Sequence, residues 1–188
     1  MSIVKQKAPA KKINAKKFAM WIAIGSIIMM FGGFTSAYIV RRSQGNWFKF
    51  DLPFVFYIST VAILLSSLTL WLAVRCFKKR SMAMHKRLVL VTVILGIAFA
   101  VLQYIGFKDL FAHISWSNNV ALQYIIVIVG MHALHVIGGV IALLIMFAHT
   151  FNNRLKIYSS TGLEIISTYW HFVDILWIYL LLFFLITL

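Results

Sequence analysis

Five stretches of this chain hold almost nothing but apolar side chains, and their length decides the fold class. They run Phe18–Val40, Phe54–Val74, Leu88–Phe107, Leu122–Ala148 and Glu164–Leu188. Each meets or exceeds the roughly 20 helical residues that cross a hydrocarbon core of about 30 Å. Lipid offers backbone N–H and C=O groups no partner, so spanning segments are helices or closed barrels. Continuous apolar runs without period-2 alternation exclude the barrel. The expected fold is an all-α polytopic membrane helix bundle with five transmembrane helices. Composition agrees: 62% of residues are hydrophobic and 12% charged, against about 45–50% and 25% in soluble domains.

A net charge of +14 invites a nucleic-acid reading, but its distribution points to topology. The tail before Phe18 holds six lysines, the link Arg75–Arg87 six Lys or Arg, and the link after the fourth stretch Arg154 and Lys156. The alternate links hold only Arg41, Arg42, Lys49 and Lys108. By the positive-inside rule this places the N-terminus in the cytoplasm and the C-terminus outside, with attraction to anionic headgroups as a secondary effect. No nucleic-acid partner is expected. The lone cysteine, Cys76, allows neither an internal disulfide nor a CxxC site. The first stretch has a basic flank and a TSA sequence at Thr35–Ala37, but its 23 residues exceed the 7–15 of a signal-peptide core, so it reads as a span.

One domain is expected: a basic cytoplasmic tail over residues 1–17, then a five-helix transmembrane domain over 18–188. The links are about 10–16 residues long, so consecutive helices should pack antiparallel. Gly25, Gly32 and Ser36 form a small-residue seam on the first helix, and Gly138 and Ala142 another on the fourth, where backbones can approach closely. Trp21, Trp47, Trp71, Trp116 and Tyr158 fall near span ends, as interfacial aromatics do. Trp170 and Trp177 sit deeper and should pack against other helices. No internal repeat or matched pair of broken helices suggests a transporter.

The informative residues are the few polar ones inside the spans. GMHALHVIGG on the fourth helix carries His132 and His135 three residues apart, on neighbouring strips of one face. On the fifth helix Glu164 and His171 are seven apart, with Asp174 a turn beyond, an arc of roughly 80° at 3.6 residues per turn. Intramembrane ionisable groups face a protein interior or wet cavity and pair with one another. A short link joins the two helices, so a contact between Asp174 and a fourth-helix histidine is expected, with His171 as another partner. Glu164 would start near the cytoplasmic surface.

Three readings of this cluster compete. Histidines at i and i+3 can ligate a metal, with Glu and Asp as co-ligands, although HxxH lacks the internal glutamate of HExxH. The groups could line a proton or ion path. Or they form a polar clasp that fixes helix packing and holds lipid headgroups, with hydrogen bonds each worth about 0.6 kcal/mol. On the residues alone the clasp is favoured.

GMHALHVIGG, followed by Glu164 and YWHFVDILW, resembles subunit III of haem–copper terminal oxidases, the cytochrome c oxidase subunit 3 family. The family pattern pairs HxxHV on one helix with a Glu and then WHFVD on the last, in the order and spacing found here. FTSAYIVRR at the end of the first helix is similar to short bacterial members. The resemblance implies a multi-pass subunit of the bacterial inner membrane that binds no metal, haem or copper itself. It would pack on the catalytic subunit I, with subunit II and small subunits in the same complex, the partners holding haem and copper. It also implies support for proton uptake, protection from turnover inactivation and bound phospholipid. His132, His135, Glu164, His171 and Asp174 would then form a structural, lipid-organising polar core, with no catalytic residue in the chain.

The chain departs from long family members in having five helices where they have seven, so it cannot build their lipid-filled cleft alone. Ile27 stands where they carry an intramembrane glutamate, and His149 where they have a headgroup-binding arginine. The expected function is that of a non-redox subunit of an aerobic cytochrome c oxidase. The alternatives are a quinol oxidase subunit, a nitric-oxide-reductase accessory protein, or a free-standing membrane metalloenzyme using His132, His135 and His171.

Overall fold

The computed structural model describes residues 14–42, 53–112, 120–151 and 160–187. Five helices account for nearly all of them: α1 (Ala15–Arg42), α2 (Val55–Lys78), α3 (Met82–Ala112), α4 (Val120–Phe151) and α5 (Ser160–Thr187). All five are long and apolar enough to cross a membrane. The shortest, at 24 residues, is about 36 Å long. Most of the helices outrun the apolar stretches that announce them, since Lys, Arg and Met favour helix as readily as Leu does. Trp47, Trp116 and Tyr158, and nearly all of the basic tail, lie outside the described residues.

The extension is largest between α2 and α3, where the expected link from Arg75 to Arg87 shrinks to Lys79, Arg80 and Ser81. Ser81 N–H donates to Cys76 O and Arg80 N–H to Phe77 O, each at 3.0 Å. This is the paired closure of a Schellman motif, with Arg80 at φ 60° where glycine is usual. Across the turn, buried His85 bonds through Nδ1 to the Ala73 carbonyl at 2.9 Å and its ring lies 5.2 Å from Phe77. A carbonyl only accepts, so Nδ1 carries the proton.

Helices α2, α3, α4 and α5 close a ring, each packing on the next and α5 returning to α2; α1 lies outside it against α4 and α5. The contacts give alternating directions. Thr69 meets Thr92 and Ser59 meets Gln103 between α2 and α3, while Lys17 and Thr35 of α1 meet Glu164 and Tyr179 of α5 in parallel order. Among the described residues α1 does not touch α2, so antiparallel packing of every consecutive pair fails at the first. The 12-residue interval 43–54 reaches about 40 Å when extended, enough to let α1 choose the α4–α5 groove.

Among the described residues the glycines of the α1 seam are likewise unused. A Cβ placed at Gly25, Gly32 or Gly33 meets nothing within 4 Å. The side chains that α1 buries are Ile24, Phe31, Thr35 and Tyr38. By contrast α5 feeds all three apolar clusters: Leu163 and Trp170 near its start, Val173 and Trp177 at mid-depth, Leu176, Leu180 and Phe184 towards α1. Lys16, Lys17, Arg75, Lys78, Lys79, Arg80, Lys86 and Arg87 fall at the end of the bundle shared by the starts of α1, α3 and α5, opposite Arg41, Arg42 and Lys108.

Candidate functional site

Two tryptophans of α5 set how that helix packs on α2, α3 and α4. Trp170 is fully buried and wedged between glycines of two other helices. A Cβ at Gly139 of α4 would stand 2.9 Å from its ring, and one at Gly96 of α3 3.0 Å. Its indole N–H donates to Ser66 Oγ of α2 at 3.1 Å, and the Ser66 hydroxyl in turn faces the Thr92 carbonyl of α3 at 3.4 Å. One side chain thus touches three helices beyond its own. Two turns on, Trp177 donates to Thr60 Oγ1 of α2 at 3.0 Å, stacks on His132 of α4 at 5.4 Å and meets Phe99 of α3 edge-on. Both tryptophans therefore pack between helices as their depth suggested. Gly138 and Gly139 serve the same close approach, leaving room for Tyr169, whose hydroxyl donates to the His135 carbonyl at 3.0 Å.

The five candidate residues are not one cluster. Glu164 sits at the basic end, paired with Lys17 Nζ of α1 at 2.5 Å and Lys78 Nζ of α2 at 3.3 Å, so it ties α1 and α2 to α5 and does not face α4. His171 also faces α2, its Nδ1 sharing a 2.5 Å hydrogen bond with Ser67 Oγ. His135 turns back on its own helix, with Nδ1 at 2.6 Å from the Met131 carbonyl. His132 is buried against Trp177 and, edge-on, Phe31, and neither ring nitrogen has a hydrogen-bond partner. Asp174 is buried with both carboxylate oxygens unpartnered; Ser67 approaches it outside hydrogen-bond geometry.

The contact expected between Asp174 and a fourth-helix histidine is therefore absent. The reason is rotational: α5 presents Asp174 and His171 on the side that meets α2, while Tyr169 and Trp177 take the side that meets His135 and His132. Among the described residues no three His, Cys, Asp or Glu side chains stand close enough to share a metal ion. His132, His135 and His171, the set a metalloenzyme would need, point to an aromatic ring, a backbone carbonyl and a serine respectively.

Sequence reasoning missed the hydroxyls on α2 and the glycine on α3. Ser66 and Thr60 accept from Trp170 and Trp177, Ser67 shares a bond with His171, and Gly96 admits the indole. A signal existed: the hydroxyl pairs Ser59–Thr60 and Ser66–Ser67 repeat at seven residues, the spacing of Trp170 and Trp177. Hydroxyls blend into an apolar run because they cost little there, and this concealed them.

Fold and site together define a helical membrane subunit whose last helix is the hub, tied to its neighbours by hydrogen bonds of Tyr169, Trp170, His171 and Trp177. The chain belongs to the cytochrome c oxidase subunit III family, whose model matches residues 48–187; it is a subunit III of a haem–copper oxidase. It is 31% identical to a probable cytochrome c oxidase subunit 3 of Nocardia farcinica over 91% of this chain and 90% of that one. It is 30% identical to the cytochrome bo(3) ubiquinol oxidase subunit 3 of Pseudomonas aeruginosa, covering 86% of this chain and 79% of the relative. A probable quinol oxidase subunit 3 of Staphylococcus haemolyticus is also 30% identical, over 87% and 85%.

Proposed function

We propose that this chain is the non-redox subunit III of an aerobic cytochrome c oxidase in a bacterial plasma membrane, with its basic end and its tail, residues 1–17, in the cytoplasm. It packs on subunit I, which holds the haem and copper and reduces O2 while pumping protons, and belongs to the same complex as subunit II and small subunits. His132, His135, Glu164, His171 and Asp174 are structural and lipid-organising in this reading, with phospholipid bound and no redox group held by the chain. The observation that carries it is the use of polar atoms on α5: Tyr169, Trp170, His171, Trp177 and Glu164 each bond to a neighbouring helix. Side chains committed to packing are a scaffold's, not a catalyst's. The concentration of Lys and Arg at one end supports the orientation.

A quinol oxidase is the second reading, favoured by relatives of that description at 30% identity. The donor is recognised elsewhere in such a complex. Tagging this subunit, extracting it in mild detergent and recording a redox difference spectrum tests both. Haem and copper on a larger co-purifying partner, reduced by cytochrome c, is the expected result; reduction by quinol alone selects the second reading. A lone chain carrying its own metal sinks both. Complexes lacking the subunit should keep their initial rate of oxygen reduction and lose activity sooner during turnover. Immediate loss of the haem and copper spectrum on its removal would contradict the scaffold role.

A further inference from the structure

On the outer side of the α3–α4 pair lies a cavity of about 390 Å³, lined by Ala100, Gln103 and Tyr104 of α3 and by Gly130, His132 and Ala133 of α4, among others. It continues into a hollow of about 320 Å³ that shares Ala100, Tyr104 and Ile137. The first alone reaches the size range of small-molecule sites. Small residues make the space: Gly130 has nothing within 4 Å of a built Cβ. The rim is lipid-facing, with Tyr104 and Ile137 exposed. The lining is almost wholly apolar.

Two residues of that lining are not. Gln103 spends its amide N–H on Ser59 Oγ at 3.1 Å and leaves its carbonyl oxygen unpartnered, and His132 leaves both nitrogens unpartnered. Both side chains are more than nine-tenths buried. Burying a polar atom without a partner is unfavourable, and here three such atoms belong to residues that line an empty space. They lie about 14–18 Å from the nearer helix ends, inside the hydrocarbon core, where a charged headgroup is excluded.

We infer that the α3–α4 cavity binds a lipid-soluble molecule whose polar end is a single O–H group, held by Gln103 and His132. A neutral imidazole offers one donor and one acceptor and the Gln103 carbonyl a second acceptor. A hydroxyl both donates and accepts, so it can take the imidazole N–H and give its own proton to the Gln103 carbonyl, with one ring nitrogen left over, whereas a ketone or ester only accepts. Both residues line the cavity, and the terminal torsions of Gln and His are broad, so a modest rotation can aim these atoms at an entering hydroxyl. The O–H chemistry fits an isoprenoid quinol or a protonated fatty acid.

The intact oxidase complex in lipid nanodiscs decides the matter, using three diazirine probes at equal membrane concentration: a hydroquinone, palmitic acid and a phosphatidylcholine labelled on its chain. The expected result is that the hydroquinone or palmitic acid labels segments 100–107 and 126–137 at least tenfold more than the phosphatidylcholine does, and the winner names the source. Gly130→Leu, or Ala133→Leu should the first not assemble, fills the cavity from its exposed side and should cut labelling at least fivefold. His132→Phe keeps the ring volume and should cut it at least threefold. Equal labelling by all three probes, no labelling, or indifference to the cavity-filling variants overturns the site. Loss with Gly130→Leu but not with His132→Phe overturns the hydroxyl recognition.

Discussion

Helices α1 and α5 have the same length, 28 residues, and both carry features that announce close packing, yet the bundle uses them differently. Half of the most apolar window of α5 is buried against 17% of that of α1. The glycines that matter to α5 are on other helices: Gly96 and Gly139 accept Trp170 with no room to spare. The glycines of α1 face open space. Small-residue spacing shows that a backbone can be approached; it does not say by what. The indole of Trp170, being large and donating one hydrogen bond, is the stronger clue to where approach occurs.

The contrast can be broken at Trp170 first. Trp170→Ala should cost the subunit about 3–5 kcal/mol, as large-to-small core changes do, and should also remove the indole donor to Ser66; unfolding of the purified subunit in detergent measures it. Gly139→Ala places a methyl 2.9 Å from a ring that Gly96 blocks from behind, so overpacking of about 1–3 kcal/mol is expected. The matching change on α1, Gly32→Ala, should leave the subunit within about 0.5 kcal/mol of wild type. If Gly32→Ala destabilised the chain as much as Gly139→Ala, the difference between the two helices would be unreal.

Smaller changes sharpen the picture. Thr35→Val removes the 2.8 Å bond to Tyr179, the polar tie between the middle of α1 and α5, and should cost about 0.6 kcal/mol. Glu164→Gln weakens two ion pairs whose side chains are 31–61% exposed; exposed pairs contribute about 0–1 kcal/mol. Its effect should shrink further in salt, and a thermal-shift series at rising ionic strength checks this.

The candidate site was half legible in the sequence. GMHALHVIGG and YWHFVDILW do face one another across α4 and α5, but through Tyr169, Trp170, Trp177 and the two glycines more than through the ionisable groups that drew attention. Seven-residue spacing aligned Glu164 with His171 correctly, and both meet α2. What spacing cannot supply is the absolute rotation of a helix, since any polar arc of 80° can be turned toward either neighbour. Asp174 shows the consequence: its depth was readable and its lack of a partner was not.

The chain by itself determined five spans, their alternation, the concentration of charge at one end and the family, because length, hydropathy, charge and short motifs are local properties. Tertiary structure alone decided that α1 packs on α4 and α5 and not on α2, that Ser66, Ser67 and Thr60 bond to the last helix, and that Gln103 and His132 share a cavity. Those outcomes depend on which faces meet, and that is settled by how rigid side chains of particular shape fit together across helices distant in sequence.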